Sequence, residues 1–182
     1  MIRTADAATI FLLFCLILFP AGSGLAQNRY LPQINRNFIV INKPEQKLRV
    51  FDKDACVIAE YDVAVGTNYG DKKSIGDCRT PEGVFTIKSI EASQDYHYDF
   101  NDGRGLVKGA YGPRFIRLTV PGNNSIGIHG TLPEHQSSIP GRASHGCIRM
   151  KNNDVLELCR YVHKGMKVVI IPDMTETQML QP

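Results

Sequence analysis

From Phe38 onward the apolar and polar positions alternate in short runs, the period of half-buried strands. Phe38-Ile-Val-Ile-Asn42 and Lys47-Leu-Arg-Val-Phe51 flank Lys43-Pro44-Glu45-Gln46, the pattern of two strands joined by a short hairpin turn. Val57 to Val65 is rich in β-formers and stops at Gly66, Gly83 to Ile90 alternates around Phe85 and Ile87, and Arg114 to Val120 places Ile116, Leu118 and Val120 on one face. Ile126-Gly-Ile128 predicts a short strand running directly into His129, and Lys167-Val-Val-Ile-Ile171 a last strand stopped by Pro172. The period turns helical once. Val155, Leu158, Cys159 and Val162 form an apolar stripe, which predicts one principal helix starting at Asn152, Asn153 or Asp154 as N-cap and ending around His163-Lys164-Gly165. Tyr69 to Thr80 and Ala92 to Gly112 read as loops, and their length points to a lid or a binding rim. The expected fold class is mainly β with one principal helix.

Composition narrows the picture. The chain has 182 residues, 43% hydrophobic and 21% charged, with a formal net charge of +3. That suits a single packed domain with an appendage, and gives no concentrated basic stripe for nucleic acid. The appendage is N-terminal: Arg3 precedes the unbroken apolar run Ile10 to Phe19, then Pro20, Gly22, Ser23 and Gly24 break it, and Gly24-Leu25-Ala26 offers the small residues a signal peptidase reads. The run falls short of the roughly 20 residues a spanning helix needs, so no stable membrane span is expected after cleavage. The expected organisation is a secretory signal over residues 1–26, a lead-in over 27–37, one catalytic unit over 38–172, and a flexible tail over 173–182.

An exported chain makes its cysteines informative. Cys159 lies in the helical stripe and reads as a buried structural thiol. Cys56 and Cys78 flank a turn-rich region, and whether they bridge stays open, since sequence supplies no Cβ geometry. Cys147 calls for a chemical explanation. His129, at a strand end, is followed by a loop bearing proline and glycine and then by Ser144-His145-Gly146-Cys147. A nucleophilic thiol needs an imidazole within reach and donors for the oxyanion. An imidazolium beside Cys147 would lower its pKa from about 8.5 to below 7 and make the thiolate the resting species. Gly146 would let a carbonyl substrate approach the backbone closely. A zinc site from His129, His135, His145 and Cys147 lacks the close ligand pairs such sites use, so neither metal nor cofactor is expected. His97, His135 and His163 read as surface or structural. Lys72, Lys73, Arg79, Lys108 and Arg114 read as a solvated basic surface, with attraction to an acidic wall polymer as the alternative.

The stretch from His129 to Cys147 resembles the L,D-transpeptidase catalytic domain (YkuD-type), whose signature is a His, a spacer and Ser/Thr-His-Gly-Cys. Here fourteen residues lie between His129 and Ser144. Thr80-Pro81-Glu82-Gly83 and Tyr111-Gly-Pro113 extend the similarity, which covers roughly Phe38 to Pro172.

The resemblance implies a mixed β-sandwich with its helix beside the site. It implies that Cys147 attacks a peptidoglycan stem tetrapeptide to form a thioester, that His129 is the general base, and that the Gly130 carbonyl orients its imidazole. Ser144, His145, Gly146, Arg149 and Tyr111 would shape the substrate site. Arg149 would clamp a carboxylate, and the N–H groups of Gly146 and Cys147 would hold the oxyanion. The implied partners are donor and acceptor stem peptides, with carbapenem-type β-lactams as covalent inhibitors, and the implied location is the periplasm or the cell wall. An amine acceptor gives 3→3 cross-links. Water as acceptor gives an L,D-carboxypeptidase or a wall-peptide amidase. A non-catalytic wall-binding module and a disulfide scaffold are the alternatives from other classes.

Overall fold

The computed structural model describes residues 36–173; the expected signal, most of the lead-in and the tail beyond Asp173 lie outside them. The strands are β1 (Phe38–Asn42), β2 (Lys47–Phe51), β3 (Val57–Asp62), β4 (Ala64–Gly66), β5 (Gly83–Ala92) and β6 (His97–Asp99). They continue with β7 (Leu106–Lys108), β8 (Arg114–Leu118), β9 (Gly127–His129), β10 (Gly141–Ser144), β11 (Ile148–Arg149) and β12 (Lys167–Ile171). A single α-helix, α1 (Asn152–Leu158), and a 3-10 helix over Pro133–Ser138 complete the fold. Ten strands make one curled sheet in the order β10-β4-β11-β9-β8-β5-β12-β1-β2-β3, and β6 and β7 form a separate hairpin. The fold is mainly β, as the alternation predicts.

The curl depends on β5. Its first half pairs with β12 and its second half with β8, and the register shifts between Ile87 and Ser89, a bulge that bends the strand from one half of the sheet into the other. The two halves therefore face each other. Ile39, Ile41, Leu48 and Val50 from one meet Val65, Ile116, Leu118, Ile128 and Ile148 from the other in one buried cluster, closed on its side by Val155 and Leu158 of α1.

Four expectations are corrected. The strand expected over Val57–Val65 divides into β3 and β4 around Val63, whose N–H donates to the Gln46 carbonyl at 2.9 Å, so the chain leaves one partner and joins another. The expected loop Ala92–Gly112 contains the β6–β7 hairpin, paired from His97–Lys108 to Asp99–Leu106. The helix is shorter than its stripe, because Arg160 and Tyr161 bond back to the Glu157 and Leu158 carbonyls at 2.9 and 3.0 Å and tighten the last turn. The same correction covers its start, where Asn152 is not the N-cap. Lys151 holds that position, the Asn152 side chain accepts from the Thr131 N–H at 2.9 Å, and Gln136 Oε1 accepts the Asn152 N–H at 3.0 Å.

The fourth correction concerns Asp173, expected in a flexible tail. Its carboxylate pairs with Lys43 Nζ at 2.9 Å and with Arg142, and accepts the Gly70 N–H at 2.8 Å. Lys43, at the hairpin turn, is 1% exposed and also pairs with Glu82 at 2.5 Å. Arg142 in turn donates to the Gly66 carbonyl at 3.1 Å. The cluster ties the first hairpin, the 66–82 segment, β10 and the end of β12 together. Burial alone would raise the Asp173 pKa, but Lys43, the Gly70 N–H and Arg142 hold it below the usual carboxylate range. Its stabilisation is therefore full above the unfolded-state value of about 4 and fades as pH falls through the depressed folded value. Replacing Lys43 by Met takes the cation from Glu82 and leaves Asp173 only Arg142, in a dry setting. Urea unfolding at pH 7 should show a loss of about 3 kcal/mol or more. A loss under about 1 kcal/mol would show that the carboxylates find water instead.

Candidate active site

Strand pairing brings the two signature residues together. His129 ends β9, Cys147 immediately precedes β11, and the two strands run parallel with Ile128 beside Ile148 and His129 beside Arg149. Between them the chain forms the 3-10 helix and β10, which pairs in parallel with β4. At the end of β10 the Ser144 hydroxyl donates to the Cys147 carbonyl and accepts the Gly146 N–H at 3.1 Å, closing a tight turn. Gly146 has φ +123°, and a Cβ there would lie 2.8 Å from the Arg79 carbonyl oxygen, so this turn admits only glycine. The Thr80 hydroxyl holds the turn from outside: it donates to the Gly146 carbonyl at 3.0 Å and accepts the Gly66 N–H at 2.8 Å.

The expected oxyanion pair is corrected here. The Gly146 N–H is committed to the Ser144 hydroxyl at 3.1 Å, so the expectation narrows to the Cys147 N–H. Thr80 is the positioning residue that sequence reading missed. Its Thr-Pro-x-Gly match was visible, but its distance of 66 residues from Gly146 hid the contact.

The His129 imidazole is buried between Phe115, stacked with ring centroids 5.4 Å apart, and Tyr111, edge-on at 4.9 Å. Its Nδ1 contacts the Gly130 carbonyl at 2.5 Å. A carbonyl can only accept, so Nδ1 carries the hydrogen and Nε2 keeps a lone pair. A Cβ on Gly130 would come within 2.3 Å of Asn152 Oδ1, so that position too must be glycine.

Burial pulls the His129 pKa from 6.5 to about 4, with Arg149 adding to the shift and the Gly130 carbonyl opposing it. Burial raises the Cys147 thiol, and the Gly127 backbone, Arg149, Lys72 and Arg117 offset only part of that. Both shifts favour neutral partners. Both directions run against the expected resting thiolate–imidazolium pair. The thiol donates to the Ser125 carbonyl at 3.3 Å.

Cys147, His129, Tyr111, Ser144, His145 and Arg149 line one cavity of about 320 Å³. The β6–β7 hairpin contributes Tyr98 and Phe100 to its wall, and the Tyr98 hydroxyl meets His145 Nδ1 at 2.7 Å. His145 thus engages the hairpin. Burial lowers the Arg149 pKa, and among the described residues no carboxylate pairs with it. Lys72 departs from the expected solvated surface: its side chain is 7% exposed, pairs with Asp77 at 2.7 Å and lines the same cavity. The described thiols Cys56, Cys78, Cys147 and Cys159 are all free, so the bridge left open between Cys56 and Cys78 is not formed.

The family model for the L,D-transpeptidase catalytic domain, YkuD, matches residues 36–170. The chain belongs to this family. Among similar proteins, YqjB of Bacillus subtilis (strain 168), which carries an L,D-transpeptidase name, is 31% identical over 138 residues, 75% of this chain and 72% of YqjB. The catalytic domain of the E. faecium L,D-transpeptidase shares the fold with a TM-score of 0.54 at 20% identity, covering 77% of this chain and 100% of that one. L,D-transpeptidase 3 from Mycobacterium tuberculosis, solved with a faropenem-derived adduct, gives 0.55 at 16% identity over 74% of this chain and 60% of that one. Several solved relatives are longer; the chain spans 49% of Pgp2 from Campylobacter jejuni. The L,D-transpeptidase fold is thus the fold of this chain.

The tautomer and the pKa directions lead to one measurement. NMR titration of the His129 ring should show it neutral at pH 6, with a midpoint about 4. Because the unfolded ring protonates near 6.5 and the folded one does not, stability should decline as pH falls from about 6.5 toward 4. A midpoint at or above 6.5 would restore the ionised pair. For Thr80, substitution by Val removes both hydrogen bonds at constant shape, and iodoacetamide alkylation of Cys147 should change in rate, with a stability loss of about 1–3 kcal/mol. An unchanged alkylation rate would reduce Thr80 to a structural residue.

Proposed function

We propose that this protein is an exported, cysteine-dependent L,D-transpeptidase that acts on peptidoglycan stem tetrapeptides and forms 3→3 cross-links. The observation that carries the reading is a neutral imidazole with its Nδ1–H tied to Gly130, sharing one cavity with the Cys147 thiol and with the unpaired guanidinium of Arg149. Arg149 receives a stem carboxylate bidentately, which places the carbonyl between the third, L-centred residue and the terminal D-residue over the sulfur. Sγ attacks as its proton passes to His129 Nε2, and the oxyanion turns toward the Cys147 N–H. The imidazolium then gives its proton to the leaving amine, the C–N bond breaks, and the thioester remains.

The side-chain amine of a diamino acid on a second stem attacks that thioester, giving up its proton to His129 and regenerating the thiol. Proton transfer during attack suits a thiol and an imidazole whose pKa values lie far apart in the wrong order for a resting ion pair. The β6–β7 hairpin, joined to His145 through Tyr98, forms a wall that limits access of water to the thioester. The same thiol chemistry supports acylation by carbapenem-type β-lactams, in keeping with the faropenem-derived adduct of the Mycobacterium tuberculosis relative. The N-terminal run Ile10 to Phe19 supports export to the periplasm or the cell wall.

Incubation with a disaccharide tetrapeptide, read by mass spectrometry, should yield cross-linked dimers with loss of the terminal D-residue. Exclusive tripeptide would make water the acceptor and sink the cross-linking assignment. Cys147→Ala and His129→Ala should each lower turnover by more than about 10³-fold. Turnover retained in Cys147→Ala would end the thioester mechanism.

A further inference from the structure

A second cleft, of about 360 Å³, shares no lining residue with the thiol cavity. It lies between β3 and α1, and its polar groups are mostly acidic: Glu60 and Asp62 from the strand, Asp154 and Glu157 from the helix. The two pairs differ. Glu60 and Asp62 already hold the Lys47 ammonium at 3.3 and 2.8 Å, and Glu60 also pairs with Arg49. Among the described residues no cation forms an ion pair with Asp154 or Glu157. Burial raises the Asp154 pKa; Lys151 opposes this, while the Glu157 and Asp62 carboxylates add to it.

The Tyr61 side chain lines the same cleft. It is 7% exposed, and its hydroxyl, next to the Glu157 carboxylate, makes no hydrogen bond of good geometry among the described residues. A buried phenol normally finds a partner, and a hydroxyl set against a carboxylate without a well-formed bond, beside two carboxylates that have no cation, leaves room for a donor that all three can accept. An ammonium has three N–H donors and no acceptor, and Tyr61 Oη, Asp154 and Glu157 offer three acceptors. Lys47, seated between Glu60 and Asp62, shows that this surface accepts an ammonium in its outer half.

The backbone favours a peptide as the bearer of that group. Among the described residues β3 is the last strand of the ten-stranded sheet, so one of its sides has no strand partner there. Such an edge is a template for a further strand. Val57 and Ile58 along it are 51% and 41% exposed, an apolar stretch that a free amine would leave uncovered.

We propose that this cleft docks an extended, lysine-bearing segment of a partner protein, which adds to the open edge of β3 as a further strand and seats its ammonium among Tyr61, Asp154 and Glu157. The segment's backbone groups pair with those of β3, its apolar residues cover Val57 and Ile58, and its charge meets the two carboxylates that the fold leaves without a cation. The site is independent of the chemistry at Cys147.

The test is titration of the isotope-labelled protein with acetyl-Thr-Val-Lys-Val-Thr-amide and with the same peptide carrying norleucine in place of lysine. Amide shifts and amide exchange are followed across residues 57–62. The lysine peptide should bind at least about tenfold more tightly than the norleucine peptide and should slow exchange of the edge amides. Glu157→Gln and Tyr61→Phe should each weaken it several-fold or more, and Tyr61→Phe should shift the melting temperature by only about a few degrees, because its hydroxyl makes no well-formed hydrogen bond among the described residues. Equal affinity for the two peptides would overturn the proposal. So would butylammonium binding as tightly as the peptide with no slowing of β3 exchange, or shifts confined to residues around Cys147.

Discussion

A single enclosed imidazole governs the arrangement of this domain. The imidazole is dry, held in one tautomer and shares a cavity with the Cys147 thiol, and each condition is met by a different part of the fold. Phe115 and Tyr111 exclude water, the next carbonyl along the chain fixes the proton on Nδ1, and the parallel pairing of β9 with β11 sets the distance to Cys147. The side effect of dryness is a weak base. A ring that protonates near pH 4 forms no standing ion pair with a thiol that burial pushes up.

That economy of charge contrasts with the rest of the site's surroundings, which are rich in it. Lys43, Glu82, Asp173 and Arg142 lie behind the loop that carries Thr80, and Lys72 pairs with Asp77 along its outer edge. Buried pairs of this kind give little net stability compared with apolar packing, but each is costly to break, so they fix one conformation of the 66–82 segment. Thr80 transmits that fixity to the Gly146 carbonyl, and hence to the peptide unit whose N–H belongs to Cys147.

Much of this was legible in the sequence, and what was not has physical reasons. Strands such as Phe38–Asn42 and Arg114–Leu118 were readable because the first is a continuous apolar run buried on both faces and the second sets Ile116 and Leu118 on the core face. β10 and β11 were not: Gly141–Ser144 and Ile148–Arg149 are too short to show a period and exist only through pairing with β4 and β9. The β6–β7 hairpin escaped because its polar, aromatic residues face a cavity instead of the core. The signature residues were readable from spacing, and the cavity does gather Cys147, His129, Ser144, His145, Arg149 and Tyr111. Their ionisation was not, because desolvation depends on Phe115 and other residues remote in sequence. Gly146 was recognised as a point of close approach, yet its N–H was assigned to the oxyanion, since the Ser144 hydroxyl that takes it cannot be oriented from sequence.

The position of β12 in the sheet bears on how such a chain assembles while it is being made. This strand comes last yet lies between β1 and β5, and the first three strands join the others in the sheet only through it. During synthesis or translocation from the N-terminus, the opening hairpin emerges early and waits without its neighbour until residues 167–171 arrive. Asp173 follows directly and completes the ion cluster behind the Thr80 loop. The Cys147 thiol thus acquires its supports after nearly the whole domain has emerged, a timing that keeps an incomplete chain from presenting a finished cavity around it.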